Sequence, residues 1–349
     1  MRATTPPPGP DDDQAHPPAG AITDVPGVRV GQVQRVGDGW LTGVTVVLPP
    51  PGTVGGVDVR GGGPGTHETD ALDPRTLVPT VDAVVLTGGS AFGLVSAHGA
   101  QRWCAEQGRG YPVSPVPGQV VPIVPAAAVF DLGRGGDFAT HPTQEMGHAA
   151  AAAAHASGDG APVARGCVGA GTGAAVAGAA YKGGVGTASL RLTDGPAAGT
   201  VVGALAVVNA AGAPTGLGPP ASAPGGPLDA AGARVVPGAG AGASPLNTTL
   251  VVVATDGALD PAETSRTATA AHDGLARALD PVHTLADGDT VFALATQSAE
   301  LPATRPERVT ALVALQAAAA TVVERAVVDA VRAATSTRTP VHDLPAWTA

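Results

Sequence analysis

The stretch that decides the fold is "PLNTTLVVV", Pro245–Val253. Leu250 to Ala254 reads as a buried strand, because β-branched residues fit a pleated core. Buried strands rarely open with three polar side chains, yet Asn247, Thr248 and Thr249 stand at the mouth of this one. They follow a glycine- and proline-rich run over residues 210–246 with no sustained periodicity, which predicts a flexible linker. A cut before Thr248 would make it a chain terminus. Its hydroxyl would then be a nucleophile, and its own α-amine, with a pKa of about 7.7–8.0, the adjacent base. The same hydroxyl could make the cut by attacking the carbonyl of Asn247. By spacing alone a turn before a strand is the better reading of the triplet.

Outward from this point, the composition is that of a folded chain. Hydrophobic residues make up 44% and charged residues 14%, which excludes a disordered polymer. Aromatics are only 3%, so Val, Ala and Leu with close glycine contacts must build the core. The formal net charge is −10 and there is no Lys/Arg block, which argues against a nucleic-acid partner. Cys104 and Cys167 are too few for a disulfide framework and read as small packing residues. No stretch of ~18 uncharged apolar residues reads as a membrane span. Residues 1–20 lack an apolar h-region and read as a disordered leader, so the expected location is the cytoplasm.

Strands are expected at Gly43–Leu48, Ala83–Leu86 and Val201–Asn209, and from Asn247 to about Thr255. Thr87–Gly108 reads as a tight turn and a helix, with Ser90 as its N-cap, and Glu145–Ser157 as an alanine-rich helix. Asp260, Pro261 and Glu263 form a capping box with an N1 proline; Thr304, Pro306 and Glu307 repeat it before a helix to about Ala334. The expectation is one catalytic domain over 21–335, with a loose tail over 336–349. "TGGSAFG" is not a nucleophile elbow, because position 92 is Phe. "GAGTGA" misses the dinucleotide spacing. His148 and His155 lie about 10.5 Å apart along a helix, and His67-Glu68 lacks a second zinc-spaced histidine, so neither a metal nor a cofactor is expected.

Seven segments in order resemble one family. They are "AITDVPGVRVGQ" (Ala21–Gln32), "VRGGGPGTHETD" (Val59–Asp70), "VLTGGSAFGL" (Val85–Leu94), "GCVGAGTGA" (Gly166–Ala174), "KGGVGTAS" (Lys182–Ser189), "NTTLVVVATD" (Asn247–Asp256) and "DGDTVFALAT" (Asp287–Thr296). The family is the self-processing P1, S58-type peptidases, with aminopeptidase, β-peptidyl-aminopeptidase and nylon-oligomer-hydrolase-like branches. The resemblance implies an α/β fold, an αββα sandwich of the N-terminal-nucleophile type. It also implies cleavage between Asn247 and Thr248, and tetramers of cleaved protomers.

By the same resemblance Thr248 is the nucleophile, with Thr249 its chemical competitor. Asn209 would donate its amide to the oxyanion. Lys182 matches a lysine of the Thr-nucleophile branch, and its isolation among Gly and Ala suits a dry site with a lowered pKa. Asp287 and Asp289 would support the Thr248 hydroxyl and ammonium. They favour a general amidase, since the β-peptide-cleaving branch has Ser and Glu there. Phe130 stands nearest to a Tyr that lines the aminopeptidase site, and Cys167 where Asn is common. The implied activity is hydrolysis of a small amide, peptide or ester beside a free amino group. The rivals are an acyltransferase of the ornithine-acetyltransferase type and a non-enzymatic glycine-rich binding or assembly protein.

Overall fold

The computed structural model describes residues 19–227 and 246–347. The expected leader falls almost wholly outside these residues, as does the second half of the expected linker. Ten strands and four helices frame the site. The strands are β1 (Arg29–Gly37), β2 (Trp40–Leu48), β3 (Val54–Val59), β4 (Thr66–His67), β5 (Val84–Thr87), β6 (Ala126–Ala128), β7 (Gly184–Arg191), β8 (Val201–Asn209), β9 (Thr248–Gly257) and β10 (Thr290–Ala299). The helices are α1 (Val95–Glu106), α2 (Gln144–Ser157), α3 (Pro261–Ala278) and α4 (Arg305–Arg332).

One sheet runs β1-β2-β5-β6-β4 and the other β7-β8-β9-β10-β3. Alternation of side chains along each strand assembles the layers. Leu250 and Val252 of β9 meet Val47 and Leu86 of the first sheet in the core between the sheets. Val251 and Val253 point the other way, onto Leu275 of α3 and Val323 of α4. The outer face of the first sheet packs on α1 and α2. The order is therefore helix, sheet, sheet, helix: the expected αββα sandwich.

Small residues make these layers possible. A Cβ at Gly99 would lie 1.8 Å from the Gln144 carbonyl oxygen, and one at Gly147 would lie 1.9 Å from that of Ser96. Helices α1 and α2 thus touch backbone to backbone. Helix α4 is long and apolar enough to cross a membrane. Here, however, Ala311, Leu315, Val323 and Val327 are buried in the core against the second sheet and α3.

Several local expectations change. The Asp260–Glu263 capping box forms in both directions, at 2.8 and 3.0 Å. Thr304 is the N-cap of α4 but makes no side-chain cap; its hydroxyl donates to Glu307 Oε2 at 2.7 Å. Ser90 is not a cap. It is the first residue of a four-residue helical turn whose N-cap is Gly89.

The segment read as a loose tail is ordered. Thr337–Arg338 and His342–Leu344 form short strands, and Trp347 packs edge-on against Tyr181 at 4.9 Å. The first part of the expected linker is tied down too. Ala213–Pro214 pairs with Leu279–Asp280, and the Ala221 N–H donates to the Trp347 carbonyl at 3.1 Å. A linker composition did not exclude these contacts, because they are made by backbone groups and one distant tryptophan.

Candidate active site

Thr248 opens β9 and Asn209 closes β8, and the two are directly opposed in the antiparallel ladder. Directly opposed residues project on the same face. That face is the one carrying Leu205, Val207, Leu250 and Val252, so both side chains point into the space between the sheets. Thr249, one residue on, points to the helix side. Alternation thus separates two threonines that composition could not.

The Thr248 hydroxyl donates to the Asn247 carbonyl oxygen in a very short contact. That same oxygen accepts the Gly288 N–H at 2.9 Å. Gly288 is glycine for want of space: a Cβ there would lie 2.6 Å from Thr248 Oγ1 and 3.0 Å from the Gly63 carbonyl oxygen. The glycine loop after β3, at Gly63–Pro64, thus also crowds Gly288, where a Cβ would lie 3.3 Å from Pro64 Cα. Thr248 is 4% exposed.

Asn209 is fully buried. Its Oδ1 accepts from Arg134 Nη1 at 2.5 Å and from the Ala175 N–H at 3.0 Å. Its Nδ2 has no hydrogen-bond partner among the described residues. A guanidinium can only donate, so the carboxamide cannot be flipped. The amide NH₂ on the Thr248 face is thus a buried donor with no acceptor among the described residues.

Lys182 is buried as expected, but it does not reach Thr248. Its ammonium donates to the carbonyls of Gly171 and Ala174 at 2.8 Å each and of Gly183 at 2.7 Å. Burial pulls its pKa down, while the charge of the nearby Cys167 works against that pull. Three acceptors around three protons favour the charged form and leave no lone pair to take a proton. Its role here is to clamp the Gly171–Ala174 loop. Cys167 is only half-buried, with Sγ 3.4 Å from the Thr335 carbonyl. Burial raises its pKa, but the Lys182 charge and hydrogen bonds from Thr335 and Thr337 bring it below the usual thiol value.

The two aspartates are also redirected. Asp289 Oδ1 accepts the Thr249 N–H at 2.6 Å, and its Oδ2 accepts His283 Nδ1 at 2.7 Å. Asp289 shares the face of Val291, which is the helix side and not the Thr248 side. Asp287 Oδ2 accepts the Thr284 N–H at 2.8 Å, while its backbone bridges to Asn247. Among the described residues neither carboxylate hydrogen-bonds the Thr248 hydroxyl. Instead they fix the segments that meet at the Asn247–Thr248 peptide bond. Phe130 is half-buried beside Asp131.

Arg134 and Asp131 are what sequence reasoning missed. Burial lowers the Arg134 pKa to about 10, so it stays charged near neutrality. Burial raises that of Asp131, whose Oδ1 accepts the Gly89 N–H at 2.6 Å. A lone Arg between glycines in "DLGRGGD" carried the same signal as Lys182. Among the described residues no cluster of three or more His, Cys, Asp or Glu side chains could hold a metal ion.

Two stacked sheets between helix layers are the αββα sandwich of the N-terminal-nucleophile hydrolase fold. An L-aminopeptidase D-Ala-esterase/amidase from Ochrobactrum anthropi, described as a variant of that fold, superposes with a TM-score of 0.68. It is 24% identical and covers 94% of this chain and 91% of its own, a likeness that speaks to fold. The profile of peptidase family S58 matches residues 20–343, and the chain belongs to that family. It is 48% identical over 294 residues to a protein of Mycobacterium tuberculosis described as an uncharacterized aminopeptidase, covering 81% of this chain and 83% of that one. A Burkholderia β-aminopeptidase superposes with a TM-score of 0.66 at 28% identity, covering 94% of this chain and 90% of its own. Family and relatives make the protein a peptide or amide hydrolase.

Proposed function

We propose that the chain cuts itself between Asn247 and Thr248 and then hydrolyses amide, peptide or ester bonds beside a free amino group through an acyl-enzyme on Thr248. The observation that carries this reading is the contact of the Thr248 hydroxyl with the Asn247 carbonyl, which also accepts the Gly288 N–H. In the cut, Oγ1 bonds to the Asn247 carbonyl carbon and the Asn247–Thr248 C–N bond breaks. The hydroxyl proton ends on the released amine. Water then opens the ester, leaving an Asn247 carboxylate and a free Thr248. The Gly288 N–H sits where the carbonyl oxygen gathers charge.

In turnover the α-amine of Thr248 takes the hydroxyl proton and returns it to the leaving amine. Asn209 Nδ2 holds the oxyanion. Lys182, Asp287 and Asp289 hold the backbone around them. The aminopeptidase relatives support a substrate with a free amino group. Cytoplasmic location and a tetramer of cleaved protomers belong to the same proposal.

The test is the intact mass of the purified protein, then rates on aminoacyl anilides and esters. Two chains are expected, residues 1–247 and 248–349, the second of 349 − 247 = 102 residues. One uncut chain after prolonged incubation at neutral pH overturns the reading. Adding an amine acceptor tells hydrolysis from acyl transfer by the product that forms.

A further inference from the structure

Arg134 is 4% exposed and forms no ion pair among the described residues. A buried guanidinium costs several kcal/mol in lost hydration, which is normally offset by a carboxylate. Here Nη1 instead donates to two neutral oxygens, Asn209 Oδ1 at 2.5 Å and the Gly173 carbonyl at 2.6 Å. Asp131 lies close enough to favour the charge without forming an ion pair with it among the described residues. The loop that brings it in is fastened from the far side, where Thr339 Oγ1 of the C-terminal segment donates to the Arg134 carbonyl at 2.8 Å.

The consequence falls on Asn209. A carboxamide has one end that donates and one that only accepts, of nearly equal shape. With Oδ1 toward a developing oxyanion, the residue would repel it; with Nδ2, it stabilises it. The Ala175 N–H alone is a single neutral donor at 3.0 Å. A cation on the same oxygen makes the wrong flip leave a buried charge facing an NH₂ group. The cation also polarises the amide and strengthens Nδ2 as a donor.

We propose that Arg134 is a positioning residue for the reaction at Thr248, locking the Asn209 carboxamide so that Nδ2 faces the oxyanion. The proposal rests on the reading of Asn209 as the oxyanion donor.

The test compares Arg134→Met, Arg134→Lys, Asn209→Ala and the Arg134→Met/Asn209→Ala double variant by initial rates on an aminoacyl p-nitroanilide. Arg134→Met should lower kcat by roughly a hundredfold with KM little changed, since one oxyanion donor is worth about 10²–10³ in kcat. Arg134→Lys, which keeps the charge and a donor, should recover part of that. In the Asn209→Ala background, Arg134→Met should cost nothing further. Two losses that multiply would mean that Arg134 is general scaffold, and would overturn the proposal alone. Full activity in Asn209→Ala would remove Asn209 from the site, and the proposal with it. Where Arg134→Met fails to fold or mature, Asn209→Asp carries the test. Its carboxylate keeps the Arg134 contact but lacks the NH₂ group, so it should lose kcat as Asn209→Ala does while melting no lower than the parent in the same cut state. A lower melting temperature would overturn the Arg134–Asn209 contact.

Discussion

Lys182 and Asn209 hold the two ends of one peptide unit: the ammonium donates to the Ala174 carbonyl, and the Ala175 N–H donates to Asn209 Oδ1. The lysine is therefore tied to Asn209 through the backbone and does not hydrogen-bond the Thr248 hydroxyl. Lys182→Met leaves the Gly183 carbonyl without its ammonium donor in a dry site, while the Gly171 and Ala174 carbonyls keep one backbone N–H donor each. A buried group left without a donor costs about 1–3 kcal/mol. The expected outcome is a melting temperature several degrees lower, together with slow maturation and turnover. A lysine used only to move a proton would give lost activity at an unchanged melting temperature, so paired thermal melts and rates decide between the roles.

Gly288→Ala tests the crowding at the nucleophile. The added methyl would sit 2.6 Å from Thr248 Oγ1. The residue is not among those with positive φ, so alanine is sterically at fault only through its Cβ. A displacement of about 1 Å can cost on the order of a hundredfold in rate. Chain cleavage followed by mass should slow by at least about that factor, while circular dichroism stays that of the parent. Cleavage at the parental rate would mean that the hydroxyl does not react from this position.

Thr248 and Thr249 are told apart by the sheet face each occupies. Thr249 Oγ1 is buried with no hydrogen-bond partner among the described residues. Thr249→Val removes an unsatisfied hydroxyl at constant shape, so it should be neutral or stabilising by about 1 kcal/mol and should still mature. Thr248→Val should stay a single chain of 33.7 kDa, and Thr248→Ser should be cut. Maturation lost in Thr249→Val but kept in Thr248→Val would move the nucleophile by one residue.

What the sequence made legible was local. Val201–Asn209 and the hydroxyl at the head of β9 were readable because a buried strand needs β-branched residues and a polar opening is out of place in one. The face that Asp289 occupies was not readable, since it depends on which sheet surface meets the helices. Lys182 was readable as dry, but its partners are carbonyls, which leave no trace in side-chain identity. Arg134 was hidden because its partner lies 75 residues away. The order of the tail was hidden because it hangs on Trp347 and backbone bonds.

The last prediction concerns acid. His272 of α3 is 1% exposed, and burial lowers its pKa to about 4. Its Nε2 lies 3.0 Å from the Asp58 carbonyl, so the neutral ring donates there; Nδ1 has no partner among the described residues. Protonation would place a second N–H without an acceptor, beside the His283 ring at 4.8 Å. Asp58 favours the charged form, while His283 and Arg60 oppose it. The folded state thus binds its proton more weakly than the unfolded chain, whose histidine titrates near 6.5. Stability from this group is fully present above about pH 6.5, falls as the pH drops toward 4, and levels off below that. The whole effect is on the order of 3 kcal/mol. His272→Gln, which can still donate to Asp58, should flatten the melting temperature between pH 7 and pH 4 relative to the parent. Parallel curves for the two proteins would mean that His272 does not carry the acid sensitivity. Because His283 is bonded to Asp289, and Asp289 to the Thr249 N–H, the same pH range should also slow chain cleavage in the parent more than in His272→Gln.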